Sequence, residues 1–278
     1  CDLIHFNYPD PFCDLLALKL GRKKPYIITY HSDIVKQKFL KIIYKKLENS
    51  FLENAQVIIG TSPQYIASSA NLTKFNHKTK LIPIGISADT TYDNTAELRE
   101  KYHNILDKPY LLFIGANRHY KGIGLIEEAF NNSDLKVVLI GINQNEIGST
   151  GCSDNLKENN LIAIGAVNEN EKRFLLAHCT AIMLPSTNRS EAFGIALLEG
   201  LKFAKPLIST ELNTGTSFVN LHCKTGYIVQ PDNAGELRTA ANALIQNKRV
   251  QKLMGEFAKS RFEQNFQSSI TAEKYKKV

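Results

Sequence analysis

The chain has 278 residues, of which 43% are hydrophobic, so it is long enough to bury a sizeable core and to form one large or two ordinary domains. No run of about eighteen apolar residues is present to cross a bilayer, and the first residues lack the charged, apolar and small-residue order of a signal peptide. These features exclude disordered and membrane-spanning classes and lead us to expect a soluble globular protein.

The net charge of +7 and the isoelectric point near 9.0 do not indicate a nucleic-acid partner. The excess comes from 26 lysines, against eight arginines, and no zinc-finger, RNP or basic-zipper pattern is present. The five cysteines never form C-x-x-C, so neither a zinc site nor a redox motif is predicted. A reducing cytoplasm fits this use of cysteine, and no metal is expected.

Short apolar runs alternate with helical segments along the whole chain. The predicted strands are "DLIHF", "YIITY", "QVIIG", "KLIPI", "YLLFIG", "LKVVLIG", "LIAIG", "AIMLP" and "PLIST". The predicted helices lie at 12–20, 34–50, 123–130, 169–178, 194–203 and 233–264. This alternation is typical of an α/β protein whose parallel sheets are covered on both faces.

The first predicted strand follows Cys1 directly, and we expect the first domain to be truncated upstream. The alternative is a lipidated Cys1, but a strand directly after the lipid leaves no linker to reach a membrane. The periodicity breaks between Ser87 and Lys108, where the sequence is polar and turn-rich. The predicted divisions are a partial first domain at 1–95, a complete second domain at 96–265, and a C-terminal helix at 266–278 that crosses back to the first domain.

The predicted helix at 34–50 is basic and amphipathic. Its lysines are Lys36, Lys38, Lys41, Lys45 and Lys46. Such a helix is either a packed helix with a solvated lysine face or a surface that rests on anionic lipid, where each lysine contributes about 1 kcal/mol. Base rates for charged helix faces favour the first interpretation.

Ligands of doubly wound sheets bind outside the carboxyl ends of the strands, and polar clusters follow several predicted strands. In "GANRHYKG", Arg118 and Lys121 lie three positions apart, between Gly115 and Gly122. Two cations at a strand exit suit a diphosphate, although an ordinary surface turn has the same composition. The loop is not a Walker A motif, because G-x-x-x-x-G-K-[ST] is absent.

The segment "NRSEAFGIALLEGLKF" places Glu191 and Glu199 around an otherwise apolar helix that we expect to begin near Gly194. A helix N-terminus with a glycine is suited to anions. Glu199 lies about 80° around the helix from Glu191, close enough to reach the same ligand. An apolar core helix gives no reason for two glutamates at these positions, whereas binding of ligand hydroxyl groups by the two carboxylates does.

These segments occur in the order "GANRHYKG", "IGAV", "EAFGIALLE" and "KTGYIV", and the whole chain resembles family 4 of the retaining glycosyltransferases, which have the GT-B architecture. The resemblance implies two Rossmann-like parallel-sheet domains that face a cleft. Within the family, "YHSDIVKQK" and "NTGTSFVN" are similar to the bacterial mannosyl- and rhamnosyltransferases that build surface polysaccharides. The resemblance further implies that the donor is a GDP- or UDP-linked sugar and that neither a metal nor another cofactor is needed.

The resemblance also implies a role for each matching residue. Glu191 would bind hydroxyls of the donor sugar, Glu199 the ribose, and Arg118 and Lys121 the diphosphate. Backbone groups would come from Phe193, Gly194 and Ile195, and the base would lie beside Gly165, Ala166 and Val167. On the acceptor side we expect His31, near the transferred sugar, with Tyr8 and Asp14 as pocket residues or as simple turn and cap residues.

The expected activity is transfer of a hexose or deoxyhexose, with retention, to a saccharide or lipid-linked acceptor in O-antigen-type polysaccharide biosynthesis. The expected place is the cytoplasm, at the inner face of the membrane. Three departures from the family pattern matter: Ala116 stands where an arginine is common, "ELNTGTSFVN" lacks the usual acidic residue, and the glycine-rich loop that opens the family has no counterpart. The alternative is therefore a non-catalytic nucleotide-sugar-binding partner of a glycan-assembly complex.

Overall fold

The computed structural model describes residues 2–20, 24–34, 38–130, 133–147 and 160–278, except for a few side chains in the first two helices. Within this part of the chain the strands form two parallel sheets. The prediction of an α/β protein with parallel sheets is confirmed. No described helix combines the length and the apolar character needed to cross a membrane.

The first sheet has its strands in sequence order. They are β1 (Ile4–Tyr8), β2 (Tyr26–Tyr30), β3 (Val57–Gly60) and β4 (Thr79–Leu81). Every residue of β2 is buried, as expected for a parallel strand covered on both faces. The flanking helices are α1 (Pro11–Leu20), α2 (Lys38–Asn54), α3 (Pro63–Ser68) and α4 (Ala70–Lys74).

The second sheet has the order β10-β9-β8-β5-β6-β7. Its strands are β5 (Tyr110–Ile114), β6 (Lys136–Ile140), β7 (Leu161–Gly165), β8 (Ala181–Leu184), β9 (Leu207–Thr210) and β10 (Gly226–Val229). The direction of winding reverses between β5 and β8, so the loops that follow these two strands border the crevice of the sheet. We did not predict β10, which is short and begins with a glycine.

Further helices connect and cover the second sheet, and the last of them packs against the first domain. They are α5 (Ala96–Lys101), α6 (His103–Leu106), α7 (Ile123–Phe130), α8 (Glu169–His178), α9 (Ile195–Lys202), α10 (Thr216–Val219), α11 (Ala234–Gln246), α12 (Lys248–Asn265) and α13 (Ser268–Tyr275). The single helix predicted at 233–264 is wrong. Asn247 interrupts it with a non-helical backbone, and its side chain accepts a hydrogen bond from the amide of Val250 (3.1 Å), which caps α12.

The basic helix predicted at 34–50 corresponds to α2, which extends further towards the C-terminus. Lys36 lies outside the described residues, and so do the side chains of Lys38 and Lys41. Lys45 and Lys46 are both exposed.

The last helix contacts the first domain. The hydroxyl of Tyr275 lies 2.7 Å from Thr29 Oγ1 on β2, and Thr271 Oγ1 donates to the carbonyl of Pro83 (3.0 Å). Just before α13, Gln267 forms a parallel bridge with Ile86, which lies on the segment that leads from the first domain to the second. The chain passes between the domains twice, once near Ile86 and once near Gln267, and these two crossings therefore run side by side.

Candidate active site

Glu191 lies in the loop between β8 and α9 and is held through a single carboxylate oxygen. Its Oε2 accepts hydrogen bonds from Lys121 Nζ (2.6 Å) and from Ser186 Oγ (3.2 Å). Its backbone is fixed as well, since its carbonyl accepts a hydrogen bond from Thr214 Oγ1 (2.8 Å). The side chain is only 9% exposed, and the paired lysine compensates for burial of the carboxylate.

A tight turn after β5 brings Lys121 to Glu191. The amide of Lys121 donates to the carbonyl of Arg118 (2.8 Å), and Gly122 follows with φ +76°. A Cβ on Gly122 would lie 2.0 Å from the carbonyl oxygen of Pro185, at the start of the β8 loop. Only glycine permits this approach, so Gly122 lets the two crevice loops meet.

The N-terminus of α9 lies next to this ion pair. Gly194 has φ +85°, and the ring of Phe193 is buried in edge contact with Phe266, with centroids 6.2 Å apart. Within the described residues, the backbone amides of Phe193 and Gly194 donate no hydrogen bond. Together with the exposed Ile195 that begins the helix, they form a helix N-terminus with available donors beside a lysine, which is an arrangement that binds anions.

Glu199, on the middle turn of α9, is held in the same way by a lysine from another helix. Its Oε1 accepts from Lys172 Nζ on α8 (2.6 Å), and Lys172 also pairs with Glu169 (2.8 Å). Burial lowers the pKa of Lys172, but the hydrogen bonds to Glu169 and Glu199 outweigh burial and raise this pKa above its ordinary value. Lys172 is therefore charged at neutral pH.

The two glutamates share a geometry that suits recognition of hydroxyl groups. Each gives one oxygen to a lysine, and no hydrogen bond within the described chain reaches Oε1 of Glu191 or Oε2 of Glu199. A fixed carboxylate with a second oxygen available accepts hydrogen bonds from hydroxyl groups without first having to be ordered.

The residues predicted beside the base lie at the carboxyl end of β7. Gly165 has φ +66°, and its amide and carbonyl pair with the loop after β6, through Ile142 O (2.8 Å) and Gly141 N (2.7 Å). Ala166 is exposed and Val167 is half-buried. Their role stays a prediction.

His31 follows β2 in the first domain. Its Nε2 lies 2.9 Å from Asn7 Oδ1, and its amide donates to the carbonyl of Tyr8 (2.9 Å). Burial, and to a smaller extent the charge of His5, lower the pKa of His31 below 6.5. Its imidazole is therefore neutral at neutral pH.

The acceptor-pocket role predicted for Tyr8 is wrong. Its side chain is fully buried, its ring stacks on Tyr30 at 4.7 Å, and its hydroxyl donates to Glu48. A side chain in this position cannot touch an acceptor. Asp14 lies on α1, and its side chain is outside the described part of the structure.

Arg118 is exposed, and among the described residues no hydrogen bond or ion pair joins its side chain to Lys121 or Glu191. Its role in binding the diphosphate stays a prediction, based on the length of the arginine side chain and its place in the same turn as Lys121. We did not predict from the sequence that Ser186, Thr214 and Lys172 fix the two glutamates. Ser186 follows a strand directly and could have been found by that signal, whereas Lys172 lies on a helix and carries no local signal.

Solved structures share this architecture. Sucrose-phosphate synthase from Thermosynechococcus elongatus superposes with a TM-score of 0.81 at 20% identity, over 99% of this chain and 72% of that chain. Anabaena HepE, crystallised with UDP, superposes with a TM-score of 0.79 at 18% identity, over all of this chain and 79% of that chain. The two parallel-sheet domains, with the site at the strand ends of the second, define a GT-B fold.

Sequence comparisons identify the family. A model described as glycosyl transferases group 1 matches residues 94–261, and one described as glycosyltransferase family 4 matches residues 1–90. O-antigen chain mannosyltransferase C of Escherichia coli is 36% identical over 99% of this chain and 74% of its own length. D-rhamnosyltransferase WbpZ of Pseudomonas aeruginosa is 35% identical over 95% of this chain and 70% of its own length. The chain belongs to the glycosyltransferases of group 1, with a family 4 first domain.

The influence of His5 on the pKa of His31 can be measured directly. His5→Asn removes a nearby positive charge and should raise the pKa of His31 towards 6.5, as followed by an NMR titration of the imidazole. His77→Asn, at an exposed position, is the control and should leave the pKa of His31 unchanged. Since the folded pKa lies below the unfolded value, His31 stabilises the fold less as the pH falls below 6.5. An unaltered titration in His5→Asn would contradict the coupling.

Proposed function

We propose that this glycosyltransferase moves a hexose or deoxyhexose from a GDP- or UDP-linked donor to a saccharide or lipid-linked acceptor. The observation that carries the proposal is the ion pair of Lys121 with Glu191 beside the N-terminus of α9, together with the pair of Lys172 and Glu199 on the same helix. HepE was solved with UDP, and the Escherichia coli relative is named for the O-antigen chain, which supports a nucleotide-linked donor and polysaccharide biosynthesis of the O-antigen type. Neither observation favours a non-catalytic partner.

Each group at the site has a task in this proposal. Lys121 and the amides at the start of α9 hold the diphosphate, and Arg118 reaches it from the same turn. Glu191 accepts hydrogen bonds from hydroxyls of the donor sugar, and Glu199 from the ribose. The base lies against Gly165, Ala166 and Val167. His31, from the first domain, faces the transferred sugar as a neutral imidazole.

The proposed reaction proceeds with retention and without a metal ion. The bond between the anomeric carbon and the diphosphate oxygen breaks, the acceptor oxygen bonds to the same face of that carbon, and the hydroxyl proton passes to the leaving diphosphate. Lys121 and the helix N-terminus stabilise the charge on the leaving group, and one such donor contributes about 3 kcal/mol. Metal independence is proposed because Lys121 and the helix N-terminus would supply positive charge at the diphosphate.

We place the enzyme in the cytoplasm, peripherally on the inner face of the membrane, because Lys45 and Lys46 are exposed on the basic helix α2.

The protein should float with vesicles that contain phosphatidylglycerol, and exchange of both lysines for glutamate should abolish this flotation. Lys252→Glu and Lys276→Glu, two exposed lysines on α12 and α13, serve as the charge-matched control. Equal flotation with neutral phosphatidylcholine vesicles would rule out the anionic contact.

Donor binding is tested by calorimetric titration with GDP and with UDP. One nucleotide should bind saturably, and Glu199→Ala should weaken it by about tenfold or more, the effect of one hydrogen bond to a charged group. Glu256→Ala, at an exposed position of α12, should bind like the parent chain. Absence of binding by both nucleotides in a folded chain would remove the donor assignment.

Turnover tests the diphosphate role of Lys121. Lys121→Ala should lower kcat by about a hundredfold or more, because it removes a donor that acts mainly on the leaving group. Because Lys121→Ala leaves the buried carboxylate of Glu191 without its lysine, its melting temperature should lie below that of the exposed control Lys252→Ala, and kcat is compared at a temperature at which both variants are folded. Near-normal turnover in Lys121→Ala would show that the diphosphate is held elsewhere.

A further inference from the structure

A chain of ion pairs leads from the segment between β4 and α5, which joins the two domains, to Glu199. On α8, Arg173 Nη1 lies 2.5 Å from Asp89 Oδ2, and Arg173 Nε lies 3.0 Å from Glu169 Oε1. Glu169 Oε2 lies 2.8 Å from Lys172 Nζ, which in turn lies 2.6 Å from Glu199 Oε1. Negative and positive charges therefore alternate along one connected row that ends at Glu199.

Three of these residues lie on one face of α8. Residues three and four positions apart are neighbours on a helix surface, so Glu169 reaches both Lys172 and Arg173. Burial raises the pKa of Glu169, but the hydrogen bonds from Lys172 and Arg173 outweigh burial and lower this pKa below its ordinary value. Glu169 is therefore ionised at neutral pH, and its two oxygens are divided between two cations.

Lys172 is shared between two carboxylates. Its ammonium group pairs with Glu169 and with Glu199 at the same time. Because electrostatic attraction acts on the ammonium from both sides, a stronger pull by either carboxylate draws it away from the other. Glu169, which is 54% exposed, thus competes for Lys172 with Glu199, which is 13% exposed.

Arg173 limits this competition. It binds one oxygen of Glu169, and only the other oxygen of Glu169 pairs with Lys172. Without Arg173, the whole charge of Glu169 would act on Lys172 and draw its Nζ away from Glu199. Glu199 would then lose the partner that fixes it, and its carboxylate would have to be ordered when a ligand binds.

The guanidinium of Arg173 is itself held in place by the segment between β4 and α5. Its Nη1 donates to the carbonyl of Thr91 (3.0 Å) as well as to Asp89. Asp89 Oδ1 accepts in turn from the amide (2.9 Å) and the hydroxyl (2.7 Å) of Thr91. Beside this contact, the amide of Asp93 donates to Asn170 Oδ1 (2.7 Å). These bonds keep Arg173 beside Glu169 before any ligand arrives.

We propose that Arg173 is a positioning residue for nucleotide binding, which acts through Glu169 and Lys172 to keep the carboxylate of Glu199 fixed. The inference rests on the proposed function, because it takes Glu199 as the residue that binds the ribose of the donor. Arg173 touches neither the nucleotide nor the sugar in this proposal, and its whole effect passes along the row of charges.

The test is calorimetric titration of the full chain with GDP and with UDP. Arg173→Gln should weaken binding of the nucleotide by about three- to fivefold, the range of one partly exposed ion pair. Arg249→Gln, at an exposed position of α12, should bind like the parent. In a chain that already carries Glu199→Ala, Arg173→Gln should have no further effect, because the carboxylate on which it acts is gone.

A second substitution distinguishes positioning from a loss of stability or of charge. Arg173→Gln combined with Glu169→Gln removes the carboxylate that competes for Lys172, so binding should return close to that of the parent. Arg173→Gln combined with Glu256→Gln, at an exposed position of α12, has the same net charge but keeps the competing carboxylate, and it should stay weak. Both double variants lack Arg173 and its bonds to the segment between the domains.

The same titrations separate this inference from the proposed function. If a nucleotide binds the parent and Arg173→Gln binds it normally, the positioning role is overturned and the donor assignment stands. The same conclusion follows if Glu169→Gln restores no binding, or if Arg173→Gln weakens binding equally with and without the carboxylate of Glu199. Absence of nucleotide binding by the folded parent chain would overturn both.

Discussion

The ion pair between Lys121 and Glu191 is the contact around which the second domain arranges its site. It joins the loop after β5 to the loop after β8, the two strands between which the winding reverses. A carboxylate buried to this degree would be strongly unfavourable without its lysine, and the lysine reaches it only because Gly122 lets the loops touch. The burial of Glu191, the charge of Lys121 and the positive φ of Gly122 therefore depend on one another.

A second pair, Lys172 with Glu199, repeats the arrangement further along α9. In both pairs a lysine from a different element fixes one oxygen of a glutamate, so the loop before α9 and the helix itself each present one ordered carboxylate. In the proposed function, the carboxylate of Glu191 binds the donor sugar and that of Glu199 binds the ribose. Such preordering lowers the entropic penalty of binding a flexible nucleotide-linked sugar.

Much of this organisation could be predicted from the sequence, since the apolar runs and the polar residues that follow them report local preferences. The strand "LIAIG" and the helix at 169–178 have their predicted bounds, and Glu191 and Lys121 meet at the predicted strand exits. Long-range partners could not be predicted. The residues around Lys172 do not predict that it pairs with Glu199, and those around Tyr8 do not predict that its hydroxyl donates to the buried Glu48. The apolar period of the last helices continues on both sides of Asn247, so the sequence does not show that Asn247 interrupts them.

The side-by-side crossings between the domains have a mechanical consequence. The amide of Ile86 donates to the carbonyl of Phe266 (2.9 Å), and the amide of Ser268 donates to the carbonyl of Ile86 (2.9 Å), so the outgoing and returning chains are bonded together. Because the two chains are bonded to each other, any change in the angle between the domains must bend both of them at this one place. A change in that angle would separate Arg189 Nη2 of the second domain from Asp33 Oδ2 of the first, which lie 2.9 Å apart in this structure.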